Sequence, residues 1–488
     1  MTQQVTQQVR DAPPSRSDVA ARGIRGVLTL ETIWVAVGVF LPAILSLGGT
    51  IPTVDLAYHL RAGEHLLRTG EILQTDTFTV TAVGRPWLNQ QWGAQAVFAL
   101  LFRVGGFATL AFARAVMMGV IAWLLFLACR ARGAGRRSAG VLTAVALCLS
   151  MPTLGVRPQL FGLVLFALAL WIPLTRVEHP RRLWLLPLVA VIWANVHGSF
   201  LFLPVILALT LVDSRARRLG DDGRLLLVGG LSLVATLVNP YGIGVWTYLV
   251  GLTTNPIVRT WITEWRPLTI RDLYGIVFFS SALLIIGYLA RRAHPIAWVD
   301  LLWLLVFFLA ALAAARSLAW WAFVAPVVMA GMLPRPRPER AHPPGSPRLN
   351  AAILASLAIV ALLLLPWYRD VRLTPAPQGL VRSVAAATQP GDRLFVIQPF
   401  GSWFEFALPD RPVFVDSRIE IFAQATWLQY GAVVSGRADW ASILDRWQVE
   451  GVVTQEDTPL VRFLRVAGGW RLVDRDEDGF VFVRDRAT

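Results

Sequence analysis

Polar side chains interrupt the apolar runs of this chain at a few places, and those places decide what chemistry it can do. The densest is DLAYHLRAGEHLLR, residues 55–68, which begins just past a long apolar run and is followed by Asp76. A carboxylate so close to hydrocarbon usually faces a cavity or a partner. There Asp55 could act as a general base, tuned by His59 or Asp76. The competing reading is a helix N-cap, because Asp55 precedes an apolar-periodic stretch where a cap belongs. Arg157 opens another apolar run and Arg316 ends one. A guanidinium there suits a phosphate, which its planar fork can bind through two bonds. An ion pair with Glu264, Asp55 or Asp76 would account for these arginines equally well. Arg266 is a third candidate phosphate contact, and its nearness to Glu264 favours local pairing.

His197, in the turn Asn195-Val196-His197-Gly198-Ser199, could be an acid, a base or a hydrogen-bond donor; a satisfied structural histidine is the alternative. Asn89, Trp92, Gln159, Asn195, Asn239, Tyr241 and Glu264 occupy polar turns of the same kind and are candidate substrate contacts. Trp87, Trp92, Trp261 and Trp265 could stack on a sugar ring or sit in an interfacial aromatic belt. No set of ligands stands at metal-binding spacing around His197, although His59 and His65 could join it. Cys129 and Cys148 lie in or beside apolar runs and form no disulfide framework.

The elements that must position these residues are membrane helices. Of 488 residues, 55% are apolar and 16% charged, against about 25% charged in a soluble domain. This excludes a disordered chain, a disulfide scaffold and an ordinary cytosolic enzyme. The net charge of +14 comes entirely from arginine, and the arginines cluster in short segments between apolar stretches. That distribution fits cytoplasmic loops of a multi-pass protein and not a nucleic-acid surface.

Taking about 20 apolar residues per span, the chain reads as an all-α polytopic membrane domain of about eleven transmembrane helices, followed by a soluble α/β domain. Residues 1–25 form a cytoplasmic tail, 26–367 the membrane domain and 368–488 an extracytoplasmic domain. The spans fall near 26–48, 107–128, 139–155, 158–174, 183–196, 198–212, 225–240, 272–290, 296–314, 317–333 and 350–367. The first outer loop, 48–106, holds a short helix over 55–68 and a second amphipathic one over 90–102. A proline-rich linker covers Pro334 to Pro347. In the tail, strand-like runs at 393–397, 412–415, 451–453 and 480–483 alternate with helical patterns at 423–434 and 440–447. Asp416, Arg418 and Glu420 either bind a glycan or brace this domain, with bracing favoured.

Residues 55–92, together with RPQLF, NVHGSF, NPYG, EWRP and FVDSRIEIF, resemble recurring elements of the GT-C glycosyltransferase superfamily, in particular large bacterial families that use polyprenyl-phosphate sugars. The resemblance implies a multi-pass enzyme of the bacterial plasma membrane. Its partners would be a polyprenyl-phosphate-linked sugar, membrane lipids and a glycan, lipid or protein acceptor, with no nucleic acid. It also implies an acidic catalytic base in the first outer loop, matching Asp55, with Asp76 as a second acidic group. No resident cofactor is expected. Leu56 and Ala57 follow Asp55 where metal-dependent relatives carry Asp-x-Asp, which argues against a tightly bound divalent metal and leaves a weakly held one open. Two other classes fit the architecture: a transporter or flippase, supported by Arg114 inside an apolar run, and a non-catalytic assembly protein.

Overall fold

The computed structural model describes residues 29–335, 346–455 and 458–485. The expected N-terminal tail, 1–25, and most of the proline-rich linker lie outside the described residues. The first helical segment, Leu30–Leu47, starts where the Thr29 hydroxyl accepts a bond from the Thr32 amide. The outer-loop helix Leu56–Thr69 ends at Gly70, whose φ of 75° closes the helix in the left-handed conformation that glycine adopts without strain. It packs closely on the next helix, Trp92–Ala131: a Cβ on Gly63 would lie 2.1 Å from the Gln95 carbonyl oxygen. That long helix is broken at Gly105 and Gly106, where φ reaches 60° with ψ −147°. Its first part is therefore the expected second helix of the outer loop, and its second part the expected span.

Helices form at the apolar positions read from the sequence, and the expected count of eleven spans is not confirmed. Among the described residues four helices are long and apolar enough to cross a membrane: Leu30–Leu47, Trp92–Ala131, Gly198–Arg217 and Leu273–Ala290. Four shorter apolar ones are Gln159–Leu174, Trp298–Ala313, Ala315–Ala330 and Pro347–Leu363. Arg136–Ser150, Leu186–Val196 and Asp222–Ala235 have 15, 11 and 14 residues, about 16–23 Å at 1.5 Å per residue against a hydrocarbon core of about 30 Å. Apolar residues counted into these spans go instead into 3₁₀ turns at Met151–Thr153 and Pro180–Leu185, each with a proline among its first two residues.

The helices agree on a polarity. Gln159–Leu174 begins at one end of the bundle, and just past its other end Arg176 pairs with Asp213 at 2.7 Å and Asp221 at 3.0 Å. The helix that follows His197 runs the same way and ends at Asp213 and Arg217. Trp298–Ala313 runs back, starting where Asp300 accepts from Arg132 at 2.6 Å and Arg217 at 3.4 Å. Arg132, Arg176 and Arg217, from three arginine-rich segments, thus meet in one ion-pair network at the end of the bundle opposite His197 and Gln159.

The C-terminal region is α/β, as expected. Its four-stranded sheet sets Arg393–Val396 parallel to Val449–Thr454, with Phe480–Arg484 antiparallel between Val449–Thr454 and the edge strand Trp470–Arg475. Residues 412–415, expected as a strand, make only isolated bridges, and Pro412 has no amide hydrogen to offer a ladder. Residues 470–475 form an edge strand that the sequence reading did not include. Two joints fuse this region to the first outer loop. One is β1 Ile51–Pro52, paired in parallel with β2 Leu373–Thr374. The other is Thr79 beside Val413, with the Val80 amide donating to the Val413 carbonyl at 2.8 Å. Ala62, Phe78 and Trp87 of the loop share one hydrophobic cluster with Phe395, Phe414 and Phe482.

Candidate active site

Asp55 stands at the N-cap position of the Leu56–Thr69 helix, yet its carboxylate makes no bond to the helix amides. It turns instead to Arg157, whose Nε lies 3.2 Å from Asp55 Oδ2 while Nη1 donates to Glu264 Oε1 at 2.7 Å. Both alternatives for Arg157 thus meet at one place: it pairs with Asp55 and Glu264, and Nη2 has no hydrogen-bond partner among the described residues. Asp55 outweighs burial here and holds the Arg157 proton above its ordinary range, so this guanidinium stays charged. Arg316 reaches the same cavity from the turn before Leu318–Ala330. It lies 4.6 Å from the centroid of Trp265, with no carboxylate within 4 Å among the described residues.

His197 is held by its own turn. Its Nδ1 accepts the Ser199 amide at 3.1 Å and lies 2.7 Å from Ser199 Oγ, which itself accepts from Trp193 Nε1 at 2.9 Å. The serine hydroxyl therefore donates to Nδ1, and the proton of the neutral ring sits on Nε2. Burial, then Arg316 and His59, push the His197 pKa down to about 3, so the ring is a neutral donor. His59 follows the same logic: Gln95, locked in a reciprocal amide pair with Asn89, donates to Nδ1 at 3.2 Å. Burial, then Arg157 and Arg418, lower its pKa well below the ordinary value.

Asp55, His59, Arg157, Gln159, His197, Glu264 and Arg316 all line one cavity of about 280 Å³. It adjoins a groove of about 620 Å³ that shares Gln159, His197, Trp265 and Arg316 with it and continues along Leu201, Phe202, Ala310 and Trp320. Arg266 lines this groove and donates to the Thr260 carbonyl at 2.6 Å, not to Glu264.

The other candidates stand elsewhere. Asp76 is 1% exposed; it accepts from Thr79 Oγ1 at 2.6 Å and from Arg418 Nη2 at 2.5 Å, and lines neither space. Arg418, 1% exposed, also pairs with Asp416 and is boxed by Trp87, Phe78 and Tyr58 at 4.5, 4.8 and 5.7 Å. Burial alone would weaken its hold on the proton, but Asp416, Glu405 and Asp76 raise its pKa above the ordinary value. Asp416 and Arg418 are therefore a buried brace, as favoured, though not surface charges. Asn89 is tied to Gln95; Trp92 donates to Asn195 Oδ1 at 2.9 Å, and Asn195 donates to the carbonyls of Val191 and Val238. Asn239 closes its own turn through the Thr236 and Gly242 carbonyls and the Tyr241 amide. Tyr241 packs on the hydrophobic core. These residues hold the loops that carry the site.

Sequence reasoning passed over Tyr58, Gln91, Tyr248, Gln398 and Ser417, all of which line the cavity, and assigned Glu420 no place in it. Among the described residues no group of three or more His, Cys, Asp or Glu is arranged to hold a metal ion.

No protein-family model and no curated protein matches the chain. Solved structures do. One is the Archaeoglobus fulgidus oligosaccharyltransferase tethered to an acceptor peptide containing the NVT sequon, at TM-score 0.53 and 12% identity, covering 93% of this chain and 74% of that one. Another is ArnT from Cupriavidus metallidurans bound to undecaprenyl phosphate, at TM-score 0.52 and 15% identity, covering 92% and 97%. Over nine-tenths of its length, then, this chain has the fold of the GT-C membrane glycosyltransferases.

Proposed function

We propose that the chain is a bacterial plasma-membrane glycosyltransferase. It moves a sugar from a polyprenyl phosphate to a glycan, lipid or protein acceptor at the outer surface, with its N-terminus in the cytoplasm and its C-terminal domain outside. One observation carries this reading: Asp55, Arg157, His197 and Arg316, from four separate stretches of chain, line a single polar cavity that opens into an apolar-walled groove. A polyprenyl-phosphate sugar has the same division, an apolar tail joined to an anionic, hydroxyl-rich head. The undecaprenyl phosphate bound to the ArnT structure supports such a donor.

In this reading Asp55 takes the proton of an acceptor hydroxyl as that oxygen bonds to the anomeric carbon. The bond from that carbon to the phosphate oxygen breaks, and its electron pair leaves on the polyprenyl phosphate. Arg157, through its free Nη2, and Arg316 stabilise the departing charge, and His197 Nε2–H can donate to it without adding charge. Arg266, on the groove wall, is placed to meet the same phosphate as it enters. Attack opposite the leaving group inverts the anomeric centre. A positioned base is worth about 10²–10⁴-fold, and donors aimed at developing charge about 3 kcal/mol more.

Arg114, the residue that favoured a transporter, is otherwise engaged. Its guanidinium donates to the carbonyls of Ser46, Gly49 and Thr50, closing the end of the first helix. The test is transfer of radiolabelled sugar from an undecaprenyl-phosphate donor by purified protein. Asp55→Asn is expected to lower the rate at least a hundredfold; equal rates for the two proteins would remove Asp55 as the base.

A further inference from the structure

We propose that the wall which the C-terminal domain contributes to this cavity, Glu420 paired with Tyr248, binds the hydroxyls of the transferred sugar and sets which sugar is accepted. This rests on reading the cavity as a sugar-phosphate site and gives the C-terminal domain a part in specificity. Tyr248 Oη donates to Glu420 Oε1 at 3.1 Å across the join between the helical bundle and the domain, and both side chains line the cavity. With the phenol hydrogen donated to the carboxylate, the phenol oxygen and the remaining carboxylate lone pairs both accept, so the pair can take hydrogen bonds from neighbouring hydroxyls on one edge of a pyranose or furanose.

Arg157 and Arg316 attract a phosphate, so a sugar phosphate fits with its phosphate toward the arginines. That leaves its ring hydroxyls to the donor and acceptor groups that line the rest of the cavity, Tyr248 and Glu420 among them.

The wall is also tied to the catalytic loop. Ser417, three residues before Glu420, donates to the carbonyl of Val54, immediately before Asp55, at 2.8 Å. On either side of Ser417, Asp416 and Arg418 are anchored to each other, and Arg418 to Asp76. Glu420 is thereby fixed relative to Asp55 by short connections, as a group that reads hydroxyl positions must be. A site built to bond a hydroxyl rejects an analogue lacking it far more strongly than an apolar pocket rejects a methylene.

Full-length protein in detergent should be titrated with undecaprenyl phosphate and with undecaprenyl phosphate carrying glucose, galactose, mannose or arabinose. At least one glycosylated lipid is expected to bind more tightly than the bare carrier. Glu420→Gln and Tyr248→Phe should each weaken that lipid about tenfold and leave the bare carrier within twofold, which also reports an intact fold. Variants that keep the full preference overturn the proposal, as does a wild-type protein that binds every glycosylated lipid no better than the carrier. Variants that bind the glycosylated lipid normally but lose transfer would assign the pair to the acceptor and overturn it too. Failure of the bare carrier to bind would instead refute the donor reading on which the proposal stands.

Discussion

At the scale of single residues, the site is set by which proton each group holds. His59 and His197 are buried and neutral, with pKa values below the ordinary 6.5. In the unfolded chain each takes up a proton near pH 6.5; in the folded protein each does so only at much lower pH. The unfolded state therefore binds more protons between those values. The contribution is whole above pH 6.5 and is lost as pH falls, at about 1.4 kcal/mol per pH unit for each histidine. His197→Gln removes one of the two slopes, so its melting temperature should fall less steeply than wild type between pH 6.5 and 5; parallel curves would contradict the neutral assignment. Asp55, Arg157, His197 and Arg316 could be read from the sequence because each interrupts an apolar run near one end, where an ionisable group needs a reason. Tyr248 could not, and Glu420 was legible only as a glycan contact or a brace, not as part of this cavity. Tyr248 lies within an apolar stretch that offers no contrast, and Glu420 enters the cavity only through a tertiary joint. Asp76 misled for the opposite reason: it shares a loop with Asp55, but three bonds with Thr79 and Phe78 and a buried ion pair turn it the other way.

Among elements, the joint between the first outer loop and the C-terminal sheet is the decisive one. Arg418 is its centre, the common cation of Asp76 and Asp416, with Glu405 close by. Glu405 is fully buried and neither carboxyl oxygen has a hydrogen-bond partner among the described residues; burial and then Asp416 push its pKa well above the ordinary carboxylate range. Removing one member of a buried ion pair leaves the others uncompensated, at a cost of about 3–5 kcal/mol. Arg418→Met should therefore unfold at markedly lower temperature than wild type, as followed by thermal melting in detergent; an unchanged midpoint would show the cluster to be dispensable. The outer-loop helices and most of the C-terminal strands were legible, because apolar periodicity and β-branched runs are local signals. The joint itself was not, since Thr79 and Val413 are distant in sequence and neither neighbourhood marks the other as a partner. The number of spans is not confirmed: four of the described helices have a spanning length and composition, and at Met151–Thr153 and Pro180–Leu185 prolines draw apolar residues into 3₁₀ turns.

For the whole molecule, the account requires two ends of opposite character, a cavity at one and an arginine network at the other. In a variant with Cys129 and Cys148 replaced by serine, a cysteine at exposed Asp439 should react with a membrane-impermeant maleimide in intact spheroplasts. One at exposed Leu219, beside the Arg215–Arg218 cluster, should react only after permeabilisation. Labelling of both in intact spheroplasts would contradict the orientation. The central claim is that a lipid-linked phosphate docks where the apolar groove meets the polar cavity, and the most direct measurement is a structure of the full-length protein with undecaprenyl phosphate. The account predicts the phosphate within hydrogen-bonding distance of Arg157 and Arg316, beside Asp55, with the isoprenoid chain against Leu201, Phe202 and Trp320. A phosphate bound elsewhere, with the Asp55–Arg157–Glu264 ion pairs undisturbed, would contradict it.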